Sequence, residues 1–443
     1  MTGSLTIRNG RMVLPDRVVS GDMIIEDGII TTIAPRVPYT VGEEIEATGL
    51  AVLPGVIDPQ VHFREPGHPQ KEDLVSGSRA AAAGGVTAFL DMPNTDPPTT
   101  TVDELHDKLE RAAQRCCVHY GFFIGATRDN LEELNRAERT CGIKIFMGAS
   151  TGDLLVSEPD ALEAIFADAN KLIAVHAEDE ERLLERKILY QDSEAPADHA
   201  KVRDVETALH ATKLAVELSH KHGRRLHVLH VTSEEEVDLL RATPRERITA
   251  EVCPQHLFMW APDAYERLGN RAKCNPPIRT QRHAKALWKG LVDGTLNCIA
   301  TDHAPHTTEE KSRGYQEAPS GMPGVEWVLP LMLDQVSKGN CTLSDAVRWL
   351  CQGPADCHRI PRKGRLEVGY DGDVVLVDMG KTRTIENGKV WTRVGWSPYA
   401  EWMLTGWPVL TAVLGNPVYR DGQVIEGVYG RELTFGGSQF SVR

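Results

Sequence analysis

Residues 51–64 read AVLPGVIDPQVHFR, an apolar run that passes into a row of polar residues. Seven more short apolar runs follow: VTAFLDM (86–92), VHYGFFIG (118–125), IKIFMG (143–148), LIAVH (172–176), LHVLHV (226–231), ITAEVC (248–253) and NCIAT (297–301). Segments with helical spacing of apolar residues, such as DELHDKLERAAQ, lie between most of them. Eight buried strands that alternate with helices over about 250 residues predict an α/β fold, a (β/α)8 TIM barrel.

The two ends of the chain have a different, β-rich pattern. Asn9-Gly10 and Asp27-Gly28 lie between β-branched runs near the start, and Asp421-Gly422 has a similar setting near the end. Such dipeptides favour tight hairpins. Neither end has enough strands for a sheet of its own, so we expect both termini to build one small β-sandwich. The predicted division is 1–52 and 356–443 for the sandwich and 53–355 for the barrel.

The charge and cysteine content narrow the class of protein. The 443 residues carry a net charge of −14, which argues against a nucleic-acid or anionic-membrane partner, because both favour a basic face. No apolar run is long enough for a membrane span, and the first residues do not resemble a secretory signal. Nine scattered cysteines without a CxxC pair fit reduced thiols in a cytoplasmic protein.

Polar residues follow the predicted strands where a barrel places its active site, at the carboxyl ends. The first run leads to His62, the fourth holds Lys144, the fifth and sixth end near His176 and His230, and the eighth leads to Asp302. Imidazole and carboxylate are ligands for Zn²⁺ and similar ions, so the joint pattern predicts a metal site. A single histidine after a strand is more often structural, and we interpret four others in that way: His68, His227, His256 and His283.

Lys144 is unusual because a lysine inside a barrel is costly unless its amine is neutral or paired. A neutral amine reacts with carbon dioxide to give a carbamate, whose two oxygens can bridge two metal ions. An ion pair with an Asp or Glu explains the position of Lys144 equally well, so both interpretations remain open.

Seven motifs in order carry a resemblance to a known family: PGVIDPQVHFREPG, DMPNTDPP, GIKIFMGAS, VHAED, LHVLHVTS, CNPPIR and ATDHAPH. Through them the whole chain resembles the dihydroorotases of the amidohydrolase superfamily. The resemblance implies one or two zinc ions, with five metal ligands: His62, Lys144 as a carboxylated bridging residue, His176, His230 and Asp302. It also implies that Asp302 shuttles the proton during catalysis. Four residues would bind the substrate: Arg64, Asn94, Asn275 and His306.

The implied reaction is the reversible hydrolysis of the cyclic amide of dihydroorotate to N-carbamoyl-L-aspartate, a step of de novo pyrimidine (UMP) synthesis. An arginine fork suits the substrate carboxylate because it donates two charge-assisted hydrogen bonds. Related cyclic amidases, such as allantoinases and dihydropyrimidinases, usually lack an arginine at the position of Arg64, and such an activity is the alternative. Each of these residues could instead have a structural role. Arg64 could form a salt bridge with Glu65, and Asn94 could be a turn residue.

One position departs from the superfamily pattern, which usually has His-x-His after the first strand. Here the segment reads Gln60-Val-His62, and glutamine is a poorer zinc ligand than imidazole. We therefore expect the more buried metal position to be weaker, empty or held by fewer protein atoms. A dihydroorotase-like chain with an incomplete site can be a non-catalytic partner of aspartate transcarbamoylase, so this alternative stays open.

Two further expectations concern assembly and access to the site. We expect a homo-oligomer, such as a homodimer, acting on a small-molecule substrate, with association to aspartate transcarbamoylase as an open question. Residues 307–324, TTEEKSRGYQEAPSGMPG, follow the eighth run and contain Gly and Ser hinges. They form either a lid over the substrate or a plain exposed loop.

Overall fold

The computed structural model describes residues 3–150 and 154–436. Five strands come first: β1 (Leu5–Val13), β2 (Val18–Glu26), β3 (Ile29–Ala34), β4 (Glu43–Glu46) and β5 (Ala51–Pro54). The next nine are β6 (Val56–Val61), β7 (Val86–Asp91), β8 (His119–Phe122), β9 (Ile124–Gly125), β10 (Ile143–Phe146), β11 (Ile173–His176), β12 (Leu226–Val228), β13 (Ile248–Val252) and β14 (Cys298–Ile299). The last four are β15 (Val374–Thr384), β16 (Met403–Val413), β17 (Asn416–Arg420) and β18 (Gln423–Val424).

The helices lie mainly between the middle strands. They are α1 (Leu74–Ala83), α2 (Val102–Ala113), α3 (Leu131–Arg136), α4 (Pro159–Asp168), α5 (Glu180–Leu189), α6 (His199–Val202), α7 (Val205–His222), α8 (Glu234–Ala242), α9 (Pro254–Phe258), α10 (Asp263–Leu268), α11 (Gln281–Val292), α12 (Thr308–Lys311), α13 (Val328–Ser337), α14 (Leu343–Val347) and α15 (Gly353–His358). Among the described residues, none of these helices has the length and hydropathy that a membrane crossing requires.

The predicted barrel is confirmed. Strands β6 to β8 and β9 to β14 pair in chain order and in parallel. A break at Phe123 separates β8 from β9, which share one apolar run, so the barrel has eight strand positions. It closes where Val61 bridges to His303 and the amide of His62 donates to the carbonyl of His303 at 2.7 Å. Every residue of β6, β7, β10 and β11 is buried, as expected for strands covered on both faces.

The run at 51–57 divides between the two parts of the molecule. β5 pairs with β1 and β15 of the terminal sheet, and the barrel starts with β6. Gly55 stands between them, and a Cβ atom there would lie 2.0 Å from Thr87 Oγ1, so the close approach requires glycine. The last strand of the first segment therefore ends at Pro54, close to the predicted division after residue 52.

Both ends of the chain form the second domain, as predicted. Its strands follow the order β18-β17-β16-β15-β5-β1-β2-β3, and β4 pairs with β1. The antiparallel pairing of β5 with β15 joins the two terminal segments. A separate apolar cluster, which includes Leu5, Met23 and Leu376, forms the core of this sandwich domain.

Two of the three predicted hairpin turns are present. Asp27-Gly28 joins β2 to β3 and Asp421-Gly422 joins β17 to β18, each dipeptide with positive φ at both residues. The prediction for Asn9-Gly10 was wrong, because this pair lies inside β1, where the register with β2 shifts between Ile7 and Gly10. Asn9 has φ 55°, so a residue that tolerates the left-handed conformation serves a bulge here instead of a turn.

A buried ionic group attaches the terminal sheet to the barrel. Asp373 pairs with Lys363, and its Oδ1 lies 3.2 Å from His119 Nε2 on β8. The same carboxylate accepts a hydrogen bond from the amide of Leu414 at 2.8 Å. Burial alone would raise the pKa of Asp373, but Lys363 and His119 hold it well below its usual value. This carboxylate is therefore ionised wherever the domain junction is formed.

We expect Asp373→Asn to lower the free energy of unfolding at pH 7 by about 3 kcal/mol, the cost of breaking a buried pair. Since the folded-state pKa is depressed, the stabilisation is present above the ordinary Asp pKa of about 3.9 and is lost as the pH falls below it. Urea unfolding at pH 7 and in acid tests both points. The control is Glu426→Gln, which removes a surface pair with Arg79 and should cost less than about 1 kcal/mol. Equal stability of Asp373→Asn and wild type at pH 7 would contradict the assignment.

Candidate active site

A cavity at the carboxyl ends of the barrel strands brings the predicted residues together. Its lining includes Gln60, which stands in place of the usual first histidine, and eight of the nine predicted site residues: His62, Arg64, Asn94, Lys144, His176, His230, Asn275 and Asp302. The ninth, His306, lies directly against Arg64, with 3.2 Å between His306 Nε2 and Arg64 Nη2.

His62 follows β6 and faces two oxygen atoms. Its Nδ1 lies 2.7 Å from Asn94 Oδ1, and its Nε2 lies 3.0 Å from Asp302 Oδ1. The amide oxygen can only accept, so Nδ1 donates to it, and in the neutral tautomer Nε2 turns its lone pair toward the carboxylate. Two acceptors at this distance need a cation between them, either a proton or a metal ion.

His176 and His230 repeat this arrangement on neighbouring strand positions. His176 Nε2 lies 2.7 Å from Glu178 Oε2, so that nitrogen donates to the carboxylate and Nδ1 offers a lone pair. This Nδ1 lies 3.0 Å from His230 Nε2. Burial lowers the pKa of His176, although Glu178 opposes the shift, and burial lowers the pKa of His230 well below its usual value. Both rings are therefore neutral, which is the form that binds metals.

Glu178 lies behind a predicted metal ligand, His176, and is not among the site residues predicted from the sequence. Its carboxylate is fully buried, accepts from His176 and pairs with Arg203. Burial would raise the pKa of Glu178, but Arg203 and His176 hold it at about 2. A carboxylate behind a ligating histidine fixes the ring orientation and tautomer. The signal was present in VHAED, where an acid follows the predicted ligand by two residues.

Lys144 is buried on β10 with its amine 4.5 Å from the centroid of the Phe146 ring. Among the described residues, no carboxylate lies within ion-pair distance, 4.0 Å, of this amine. Burial lowers the pKa of Lys144 to about 7, against the opposing charges of Asp302 and Glu251. The interpretation as a simple ion pair is therefore disfavoured, and a large fraction of the amine is neutral near pH 7.

Gln60 occupies the position of the missing histidine and contacts the predicted proton acceptor. Its Nε2 donates to Asp302 Oδ1 at 3.2 Å. Its Oε1 is buried and has no hydrogen-bond partner among the described residues. An orphaned acceptor, a carboxylate and three imidazoles around one cavity form a donor set that suits a divalent cation. The residues present therefore fit the metal that the sequence predicts.

Arg64 is a buried cation, with φ 61°, at the edge of the same cavity. Its Nε donates to the carbonyl of Pro305 at 3.2 Å. The predicted alternative, a pair with Glu65, does not form, because Glu65 pairs with Arg115 instead. Burial lowers the pKa of Arg64 to about 10, so it remains charged at neutral pH. Among the described residues, no carboxylate lies within 4.0 Å of this guanidinium.

His306 supports Arg64 from behind. Its Nε2 also lies 3.0 Å from the carbonyl of Ser320, and its Nδ1 lies 3.3 Å from Lys71 Nζ. Burial, together with the charge of Arg64, lowers the pKa of His306 to about 3. The ring is therefore neutral and adds no charge that would compete for an anion. Direct contact with substrate stays a prediction for this residue.

Asn275 also lines the cavity. Its Nδ2 donates to Ser150 Oγ at 3.4 Å, and its Oδ1 lies 2.9 Å from His199 Nε2. The pKa of His199 falls to about 3 through burial, so a neutral ring donates this hydrogen bond. These contacts hold the Asn275 amide in a fixed orientation at the cavity wall.

Residues 307–324 are more than an exposed loop. They contain α12, and Lys311 is buried with its amine donating to the carbonyls of Lys273, Pro319 and Gly321 at 2.8 to 3.1 Å. Ser320 and Gly321 line the cavity. The segment therefore forms part of the site wall, and its motion as a lid stays a prediction.

Two of the histidines interpreted as structural have contacts of that kind. His256 Nε2 donates to the carbonyl of Pro276 at 3.1 Å. His283 Nδ1 accepts from the amide of Glu234 at 3.1 Å, at the start of α8. His303, next to Asp302, accepts from the amides of Gly324 and Val325. These three rings hold backbone segments in place and do not belong to the predicted metal ligands.

Comparisons with known proteins agree with this geometry. Residues 51–418 match the amidohydrolase family. Curated proteins named dihydroorotase include one from Methanosarcina acetivorans, 37% identical over 94% of this chain and 92% of that protein. A second, from Methanosarcina mazei, is 38% identical over 89% of each chain. The chain belongs to the amidohydrolase family and, within it, to the dihydroorotases.

A solved structure also resembles this amidohydrolase over almost its whole length. The L-hydantoinase (dihydropyrimidinase) from Arthrobacter aurescens has a TM-score of 0.93 and 30% identity, and the match covers 98% of this chain and 100% of that one. The barrel with a sandwich built from both termini is therefore shared with an enzyme named for a different cyclic amide. Fold alone does not select the substrate, and the residues around the cavity have to do so.

Proposed function

We propose that this amidohydrolase catalyses the dihydroorotase reaction, the reversible hydrolysis of dihydroorotate to N-carbamoyl-L-aspartate in de novo pyrimidine synthesis. The observation that carries the proposal is the buried charge of Arg64, which has no carboxylate partner among the described residues, at the edge of a metal-type site. A buried charge is costly unless it is paired, so the site favours an anionic ligand. Dihydroorotate combines a ring carboxylate with a hydrolysable cyclic amide.

We propose zinc as the metal, which His62, His176, His230, Asp302 and a carboxylated Lys144 would hold. A neutral Lys144 amine adds carbon dioxide to give a carbamate and releases one proton. Because Gln60 replaces a histidine, the more buried of two metal positions would bind its ion more weakly. We therefore propose one or two zinc ions. When bound, zinc lowers the pKa of water to about 7 and polarises a carbonyl group.

The remaining chemistry belongs to side chains of this protein. Asp302 accepts the proton of the attacking water and then delivers it to the leaving ring nitrogen. Gln60 holds Asp302 Oδ1 through its amide N–H. Arg64 binds the ring carboxylate and fixes the orientation of the scissile amide. Asn94 orients His62 and stays, with Asn275, a proposed substrate contact.

Another cyclic amidase activity is the second candidate, and the fold match to an L-hydantoinase is the observation that favours it. Hydantoin and dihydrouracil carry no carboxylate on the ring, so Arg64 would then remain a buried charge without an anionic ligand. The non-catalytic alternative requires a site that no longer binds metal. Against it, one cavity still contains four predicted metal ligands: Lys144, His176, His230 and Asp302.

We also propose a cytoplasmic homo-oligomer, such as a homodimer, with reduced thiols. All nine cysteines are unpaired in the structure, which supports a reducing compartment. Gel filtration of the protein, alone and mixed with aspartate transcarbamoylase, tests the oligomer and this association. A monomer that does not co-elute with aspartate transcarbamoylase would contradict both the homo-oligomer and the association. The proposed reaction does not depend on either result.

The proposed reaction is tested with purified protein of known metal content. Zinc-loaded protein should form dihydroorotate from N-carbamoyl-aspartate near pH 6 and hydrolyse it at higher pH. Removal of the metal with a chelator should abolish turnover in both directions, and added zinc should restore it. A folded, zinc-loaded protein without turnover in either direction would overturn the proposal and favour the non-catalytic alternative.

We expect Glu178→Gln to weaken zinc binding about 10- to 100-fold, because the amide no longer fixes the tautomer of His176 as a carboxylate does. Competition with a chromogenic chelator measures the affinity. Glu181→Gln is the matched control, since Glu181 is exposed in the same segment and the charge change is identical. Identical zinc affinities for the two variants would contradict the role of Glu178.

A further inference from the structure

A second cluster of metal-binding side chains lies inside the barrel, apart from the cavity described above. His227 on β12, Glu251 on β13 and Cys298 on β14 offer ligand atoms that all lie within 4.8 Å of one another. All three side chains are completely buried. Cys357 of α15 adds a second thiol, which contacts both Cys298 and His227.

The hydrogen bonds of His227 leave a gap for a cation. Its Nδ1 lies 2.7 Å from Thr249 Oγ1, and its Nε2 lies 2.9 Å from Glu251 Oε2. The Thr249 hydroxyl also lies 3.4 Å from the carbonyl of Leu226 and contacts the Cys357 thiol. Where Nδ1 donates to this hydroxyl, a neutral ring turns its Nε2 lone pair toward Glu251. Burial lowers the pKa of His227, but Cys357 and Glu251 raise it to about 9, so a proton on Nε2 is the competing occupant. Either a proton or a metal ion must lie between these two atoms.

Two observations favour a metal over a proton. A shared proton satisfies one oxygen of Glu251, yet Glu251 Oε1 is buried without a hydrogen-bond partner among the described residues. Two thiols, an imidazole and a carboxylate also converge on one point, which is more ligand atoms than a shared proton uses. Thiolate, imidazole and carboxylate together are the ligand set of Zn²⁺ and similar thiophilic ions. His358 packs edge-on with its ring centroid 5.1 Å from that of His227, and both its nitrogens also have no partner in the described part of the chain.

We propose that His227, Glu251 and Cys298, with Cys357 beside them, bind a thiophilic divalent cation of the zinc class. The ion ties three barrel strands to α15 and therefore has a structural role. The site is separate from the proposed catalytic metal, because none of its four residues lines the catalytic cavity. Our interpretation of His227 as structural from sequence is thereby extended to that of a structural ligand.

A path to this cluster exists from the other end of the barrel. A cavity of about 1200 Å³ opens there, and Thr249, Cys357 and His358 form part of its lining. Its rim carries basic side chains, which include Arg225 and Arg245. Because that rim repels cations, loading should be slow in folded protein, and the ion is best supplied during expression.

The test uses the full chain expressed with Co²⁺ in place of zinc. All proposed catalytic ligands are nitrogen or oxygen atoms, so a thiolate-to-cobalt charge-transfer band in the near ultraviolet reports only a site with cysteine. We expect this band in the wild type. The double variant Cys298→Ser/Cys357→Ser, which removes both thiols of the cluster, should lose the band and roughly one equivalent of metal. Cys351→Ser, which removes a buried thiol bonded to the carbonyl of Pro54, should keep both.

The outcomes separate the two possible occupants of the gap. Metal-loaded wild type without the band would show that a proton lies between His227 and Glu251 and would overturn the proposal. A band that survives in the double variant Cys298→Ser/Cys357→Ser would also overturn it. If this variant does not fold, X-ray absorption of the zinc-loaded wild type decides: sulfur neighbours at about 2.3 Å support the site, and a purely nitrogen and oxygen shell refutes it. None of these measurements depends on turnover of dihydroorotate.

Discussion

Asp302→Asn should lower kcat/KM for dihydroorotate by about 10²- to 10⁴-fold, because an amide cannot accept the proton that the carboxylate receives. The substitution keeps the shape of the side chain. It also suits the backbone, since Asp302 has φ 49° and asparagine tolerates this left-handed region. Steady-state rates in both directions, with the metal content of each preparation, measure the effect.

Asp421→Asn is the matched control for this variant. Asp421 has φ 48° and lies in the turn between β17 and β18, far from the cavity along the chain. The same chemical change in the same backbone region should leave kcat/KM within about twofold, as for a surface substitution. If zinc-loaded Asp302→Asn retains full activity, another group moves the proton and the proposed mechanism fails.

Arg64→Ala should lose about 2–5 kcal/mol of transition-state binding for dihydroorotate, the cost of truncating one partner of a buried charge pair. This loss corresponds to about a 30- to 5,000-fold fall in kcat/KM. Arg64→Lys keeps the charge and loses the planar fork, so it should recover only part of the activity. Arg313→Ala, at an exposed arginine of the 307–324 segment, should leave kcat/KM unchanged.

The substrate dependence of Arg64→Ala separates binding from a general structural defect. Dihydrouracil has the same ring and no carboxylate, so the variant should turn it over no worse than the wild type does. A similar loss on both substrates would indicate that Arg64 maintains the site and does not bind the carboxylate.

The barrel could be predicted because parallel strands buried on both faces leave continuous apolar runs, and β6, β7, β10 and β11 are buried throughout. Local patterns were less certain where one dipeptide serves two structures. Asn9-Gly10 forms a bulge and Asp27-Gly28 forms a turn, since both need a positive φ. Only the pairing of the flanking strands distinguishes the two outcomes.

The predicted site residues gather in one cavity because strand ends of a barrel converge by construction. Their mutual contacts could not be predicted in the same way. Gln60 bonds to Asp302 across 242 positions of sequence, and Asn94 bonds to a ring that precedes it by 32. The partners of His176 and His227 also come from packing. Sequence therefore indicates which side chains reach the rim, while the structure shows which atoms face each other.

On the proposed function, Arg64 makes this amidohydrolase specific for a ring that carries a carboxylate. The most direct measurement is the ratio of kcat/KM for dihydroorotate to kcat/KM for dihydrouracil, with zinc-loaded wild-type protein. A carboxylate contact of about 2–5 kcal/mol predicts a ratio of at least about 30 in favour of dihydroorotate. A ratio near one, or a preference for dihydrouracil, would contradict the claim and favour the hydantoinase-like alternative.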